Sequence, residues 1–388
     1  MTTAAPTPDA PTRTALERAL KGFTPKWTTQ LDLPFSSSHN LDNETFRIPR
    51  ILQWLCQEII GAKDGGRWEK TAWRYWFQFG DLPFSLAFEK FGLRLYGSAN
   101  SAEEFGAAAK KVMGALDKAS RMAERKVFQG FADQQVRSGA VTVRNEFPRL
   151  RNMYEEFRQA AETGPPERPA EERQEGSLLE STGIIDIFEK ERHRFHYTVA
   201  MLTAYFGWLE HALVLFWPFL GFQPGTDDLE GFIGDRWGDK FKQLFDPATD
   251  PIANGHLAKL KETCEEFRNT FAHGGFGRHR RNLLVHVAGG GPIEAGVSWV
   301  RGRPHFDFFP VPEESYADIV KVLDGFDAWL KIGPARYGWQ WGEAGIDLPC
   351  DLQYVQEIAD AISAGGDAFV ELLSKWSYIS DQAANMDW

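Results

Sequence analysis

Cysteine is scarce in this chain: Cys56, Cys264 and Cys350 are the only three among 388 residues. They are odd in number and far apart, which argues against a disulfide framework or a zinc-ligand spacing and suits a reducing cytosol. Positive charge is short as well. Lys and Arg total 43 against 54 Asp and Glu, a net charge of −11. That argues against a protein that coats nucleic acid indiscriminately, because such proteins need an excess of Lys and Arg to neutralise phosphate. A local basic cleft remains compatible with it. No Gly-Lys-Ser/Thr signature occurs, and the triple glycine at 289–291 lacks the strand-to-helix setting of a phosphate-binding loop, so it reads as a turn. The start, MTTAAPTPDAPTR, has no basic-then-apolar signal peptide. Residues 1–12 read as a disordered leader, and a cytoplasmic location is expected.

What is present is ordinary globular material with a heavy aromatic load. The 43% hydrophobic and 25% charged residues suit a chain able to bury real cores, and its length suggests two or three domains at roughly 100–200 residues each. The 14 Trp and 30 Phe do not separate core from partner surface, since large rings serve both. Residues 197–220, YTVAMLTAYFGWLEHALVLFWPFL, approach the ~20-residue length of a membrane span. Glu210 and His211 at the centre and Pro218 near the end favour a buried bundle helix instead, so no membrane partner is expected.

A composition break falls at 163–177, TGPPERPAEERQEGS, which reads as an exposed linker. It divides the expected architecture, mainly α, into two parts. Residues 13–162 read as an N-terminal helical, aromatic-rich domain for sensing, dimerisation or partner binding. Helices are expected there at 46–60, 101–136 and 143–162. In the aromatic segment 68–92, Arg74 among Trp73, Tyr75 and Trp76 suggests either RNA base stacking or, preferably, a packed aromatic mini-core or docking face. Residues 179–388 read as a second helical domain. Helices are expected at about 183–219, 230–245, 252–273, 313–332 and 351–377, with a small antiparallel β insert at about 282–310.

The segment RNTFAHGG, 268–275, carries the chemistry. On an α-helix Asn269 and His273, four apart, share a face. Arg268 lies about 140° around the helix from His273, and its long stem can reach the same cleft. Gly274 ends the helix. Arg278, Arg280 and Arg281 follow, a basic cluster in an acidic chain, suited to RNA phosphate. RNA can be cut without a metal, because its 2′-hydroxyl is an internal nucleophile. A base takes that proton, an acid protonates the leaving 5′-oxygen, and a fixed cation steadies the phosphorus. Histidine titrates near neutrality and arginine matches phosphate oxygens while keeping its charge. Asn269 can hold the imidazole or the phosphate. One histidine supplies one proton transfer, so a second copy across a dimer, or the ribose alone, completes the scheme.

RNTFAHG resembles the signature of the HEPN superfamily, an Arg followed by four to six residues and a His, often with a polar residue after the Arg. Residues 203–219 resemble that family's long first core helix and 236–246 its shorter intermediate helix. The resemblance covers roughly 180–280 plus a closing helix, and the β insert departs from a minimal HEPN bundle. It implies a metal-independent endoribonuclease without cofactor, with Arg268, Asn269 and His273 as catalytic residues. It also implies a homodimer with a composite active site, RNA such as tRNA as substrate, and a toxin or anti-phage role with a regulatory or antitoxin partner. The alternative is a non-catalytic HEPN-like RNA- or nucleotide-binding or scaffold protein.

Blander readings stand beside these. Arg268 and His273 can simply serve a helix end. Arg281, Asn282 and His286 repeat the spacing on a β-prone run, where no helical cleft is implied. His193 and His196 lack an evident third metal ligand. Glu210 either supports His273 or satisfies a core hydrogen bond.

Overall fold

The computed structural model describes residues 5–25, 33–165, 184–269, 284–287, 291–294, 298–300, 303–305 and 313–386. Its elements are mostly helical. The chain forms two compact units, one running up to Val141 and resuming at Ser374, the other running from Thr142 to Leu373.

The first unit begins with α1 (Ala10–Ala19), whose first turn is capped by the Asp9 side chain accepting from the Thr12 amide at 2.8 Å. Next come β1 (Phe23–Thr24), β2 (Phe35–Asn40) and α2 (Pro49–Trp54), which continues as a π turn over Leu55–Ile60. Then follow β3 (Lys63–Asp64), β4 (Thr71–Phe79), β5 (Leu82–Glu89) and β6 (Gly92–Ala99). Helix α3 (Ala102–Ala123), a second π turn (Glu124–Phe128) and α4 (Gln129–Arg137) come last. The strands form an antiparallel sheet in the order β1-β4-β5-β6-β2, with β3 also paired to β4.

This corrects the expectation of a largely helical N-terminal domain. The helices lie where expected, but a six-stranded sheet stands among them. Its cause is period-two alternation. Trp73, Tyr75 and Phe77 turn inward, at most 2% exposed, to meet Phe84, Leu86 and Leu95. On the other face Arg74 spreads over the rings of Trp68, Trp76 and Tyr96 at 5.0, 5.5 and 4.7 Å, and its Nη2 lies 3.0 Å from Oε1 of Glu89. Two of the rings proposed for base stacking are thus core, and Arg74 is paired within the sheet. Two-residue links join β4 to β5 and β5 to β6, and Gly80 supplies the left-handed backbone (φ 59°) that the first needs.

The second unit contains β7 (Thr142–Val143), α5 (Phe147–Thr163) and α6 (Ile184–Phe216), which ends in a 3-10 turn over Trp217–Phe219. Next are α7 (Leu229–Gly234), α8 (Trp237–Phe245) and α9 (Pro251–Thr263), the last running into a π turn over Cys264–Asn269. The strand pairs β8 (Leu284–Val287) with β9 (Gly291–Glu294), and β10 (Ser298–Val300) with β11 (Arg303–His305), form two antiparallel ladders within the expected β insert. Helices α10 (Glu313–Ile332) and α11 (Arg336–Glu343), strand β12 (Leu348–Pro349), which pairs with β7, and α12 (Leu352–Ala364) follow. Helix α13 (Gly366–Asn385) spans the unit boundary at Ser374.

The division differs from the one read from composition. Helix α5 belongs to the second unit, because its inward residues Phe147 and Tyr154 pack edge-on against Trp208 and Tyr205 of α6, at 5.1 and 5.0 Å. The Pro-rich stretch therefore connects two helices of one unit. Residues 166–177 of it lie outside the described residues.

Helix α6 forms the spine of this unit. The stretch Glu189–Phe219 is long and apolar enough to cross a membrane by length and composition, yet 67% of its most apolar window is buried within the protein. Met201, Leu202, Tyr205, Trp208, Leu209, Ala212 and Leu213 are fully buried. Burial on all but a narrow strip explains why the sequence looks apolar around the helix.

Candidate functional site

The candidate site sits at the far end of α9. Pro251 occupies the first turn and the Asp250 side chain caps it, accepting from Ile252 N at 2.8 Å. From there Ala253, Leu257, Leu260, Cys264 and Phe267 form the buried stripe that holds the helix to its neighbours. From Cys264 the winding changes to π, which carries Arg268 and Asn269 at its end.

The π turn sets the local geometry. In α winding, residues five apart lie about 140° from each other around the axis, whereas the wider turn of i→i+5 bonding brings them nearer to one face. The Cys264 thiol accordingly points at Oδ1 of Asn269, 3.6 Å away. Nη1 of Arg268 donates to the same oxygen at 3.1 Å. Burial raises the Cys264 thiol above its ordinary pKa, with the charge of Arg268 and the approaching Trp237 indole acting against that shift. The protonated thiol is therefore the form present at neutral pH, able to donate. The Nε of Arg268 is buried and meets no acceptor, and among the described residues no carboxylate pairs with the guanidinium.

Trp237 reaches this turn from α8, which is fastened to α6. The Trp237 ring lies 5.1 Å from that of Phe206. One turn further along both helices, Lys240, only 1% exposed, places its Nζ 3.7 Å from Glu210 Oε1. The ammonium also donates to the Ile233 carbonyl at 2.8 Å and to that of Asp235 at 2.5 Å. Burial lowers the pKa of Lys240, and Glu210 opposes that shift. Glu210 itself is about half exposed and faces Lys240, so its described role is to fasten α8. The less exposed member of the Glu210–His211 pair is the half-buried His211, whose Nε2 accepts the Glu146 amide at 3.0 Å.

Of the residues singled out in the sequence, Arg268, Asn269 and Glu210 are placed, and the first two touch. His273, Arg278, Arg280 and Arg281 lie outside the described residues. His286, from the repeated spacing, is exposed on β8 opposite Pro292. His193 Nε2 lies 3.0 Å from the Ala160 carbonyl oxygen, a link between α6 and α5. Sequence reasoning missed the parts of Cys264 and Trp237. Cys264 reads as one more apolar member of the helical stripe, because only π winding brings it to Asn269.

Compared with known protein families, curated proteins and solved structures, the chain matches none.

Proposed function

We propose that this protein is a metal-independent endoribonuclease that cuts RNA by attack of a 2′-hydroxyl on the adjacent phosphodiester. The observation that carries the reading is the guanidinium of Arg268. It stands on the π turn that follows α9, with no carboxylate partner among the described residues and with a buried N–H unsatisfied. An unmatched buried donor costs about 1–3 kcal/mol, and a phosphate oxygen is the acceptor a planar, permanently charged fork suits best. The HEPN-like pattern RNTFAHG supports the same reading.

In this scheme Arg268 holds the non-bridging phosphate oxygens and stabilises the charge that builds on phosphorus. A His273 imidazole removes the 2′-proton. The 2′-oxygen then bonds to phosphorus as the bond to the 5′-oxygen breaks, and that oxygen leaves with a proton from the His273 of a second copy. The products are a 2′,3′-cyclic phosphate and a free 5′-hydroxyl. Arg278, Arg280 and Arg281 hold flanking phosphates. The protein acts as a homodimer with a composite site, in a toxin or anti-phage setting. The test compares an RNA oligonucleotide with DNA of the same sequence in EDTA. Cutting of RNA alone, with cyclic-phosphate ends, is expected. Cutting of DNA would rule out 2′-hydroxyl chemistry.

A further inference from the structure

Asn269 has a narrower task than its residue type requires. A side-chain amide offers one oxygen acceptor with two lone pairs and one nitrogen with two hydrogens. At Asn269 two donors converge on one amide atom: Nη1 of Arg268 at 3.1 Å and the Cys264 thiol at 3.6 Å. A guanidinium can only donate, so the atom it meets is the oxygen. Both lone pairs are thereby used, and the amide cannot turn over without setting N–H against N–H. Its Nδ2 is left with two hydrogens, and among the described residues it meets no acceptor. Those hydrogens and the Nε–H of Arg268 belong to neighbouring residues of the π turn. Among the described residues, the Asn269 Nδ2 hydrogens and the buried Arg268 Nε–H are donors with no acceptor.

We infer that Asn269 is a fixed hydrogen-bond donor to the RNA phosphodiester, and that Cys264 is the positioning residue that locks it in that orientation. This rests on the ribonuclease reading and narrows it. Asn269 contacts phosphate oxygen and does not accept from a histidine N–H, because its oxygen is occupied. Cys264 acts through Asn269 and does not touch RNA. The π turn contributes, since it brings residues five apart nearer to one face than α winding does. Trp237, which approaches the thiol from α8, keeps the sulfur in place.

The experiment is equilibrium binding of a 2′-O-methyl RNA oligonucleotide, which cannot be cut, followed by fluorescence anisotropy across a range of salt. Cys264→Ala removes one donor from the Asn269 oxygen and should weaken binding about fivefold, the scale of one modest hydrogen bond. Cys264→Ser, which keeps a donor, should restore most of the loss. Asn269→Asp replaces the outward donors by an acceptor with negative charge and should weaken binding at least about tenfold. Arg268→Ala should lower the salt slope by about one phosphate contact, whereas Cys264→Ala should leave that slope unchanged. Urea midpoints of all variants separate lost stability from lost affinity. Wild-type affinity for Asn269→Asp, or for Cys264→Ala in a folded state, would overturn the assignment. Cleavage of ordinary RNA by the wild type is scored separately. Binding that follows this pattern without cleavage would remove the nuclease reading and keep the donor site. Cleavage with unaltered binding in Asn269→Asp would do the reverse.

Discussion

Nη1 of Arg151 on α5 lies 2.6 Å from Oδ2 of Asp327 on α10, and both side chains are shielded from solvent. The other carboxylate oxygen accepts the Tyr205 hydroxyl of α6 at 2.8 Å. The guanidinium also lies over the rings of Tyr154 and Trp208, at 4.7 and 4.8 Å. Three helices of the second unit thus meet on one carboxylate. Burial raises the pKa of Asp327 and the charge of Arg151 lowers it, with burial the larger effect.

Removing Asp327 should therefore be costly. Asp327→Ala leaves the half-buried Arg151 with only the exposed Glu155, 3.0 Å from its Nε, as counter-charge, a change expected to cost about 3 kcal/mol, the low end for a broken buried pair. Tyr205→Phe leaves the charge pair intact and should cost only about 1 kcal/mol. Urea denaturation checks both. Equal effects from the two would mean that ring packing, and not the charge pair, dominates this junction.

His211 supplies a pH dependence. Its Nε2 accepts the Glu146 amide, which requires a neutral ring, and burial lowers its pKa, with the Glu146 charge acting against that shift. Well above the ordinary histidine value of 6.5 the folded and unfolded states bind the same number of protons at this site. As the pH falls through that value, the unfolded state protonates first, so stability is lost until the lowered folded-state pKa is passed. His256 is lowered in the same direction by burial and by Lys259. His211→Gln keeps an acceptor for the amide and removes the titration. Denaturation at pH 5.5 and 7.5 should show a smaller difference for this variant than for the wild type. An unchanged difference would place the effect at His256 or elsewhere.

Gly97 distinguishes sheet from helix in the first unit. On β6, a Cβ at this position would stand 2.6 Å from Phe84 Cδ1 and 3.0 Å from Phe105 Cε2. Gly97→Ala should destabilise the protein by about 1–3 kcal/mol through overpacking. In a helix the same change would stabilise by about 1 kcal/mol. The sign of the shift in thermal midpoint decides between the two.

Helix α9 is readable from sequence because Leu257, Leu260, Cys264 and Phe267 are all apolar and all face inward. The capped start at Asp250 and Pro251 marks its boundary. The change to π winding is not readable, since CEEFRN holds no residue type that demands it. The contact of Cys264 with Asn269 is hidden for that reason. In the first unit, Trp73, Tyr75 and Phe77 alternate with Arg74, Trp76 and Gln78. That strand pattern was masked because apolar Trp76 stands on the polar side and blurs the period. Gly80 and Gly92, both at positive φ, are the hairpin signals that would have marked the strand ends. At Glu210 and His211 the sequence shows two ionisable residues in an apolar helix, but only the packing of α8 and α5 decides which faces solvent.

The central claim is most directly tested by incubating purified protein with total cellular RNA in EDTA, wild type beside His273→Ala. The account predicts cleavage by the wild type, ending in 2′,3′-cyclic phosphate, and its loss by at least about a hundredfold in the variant, the scale of a lost general acid–base. Equal cleavage by both proteins would remove His273 from the chemistry and contradict the account.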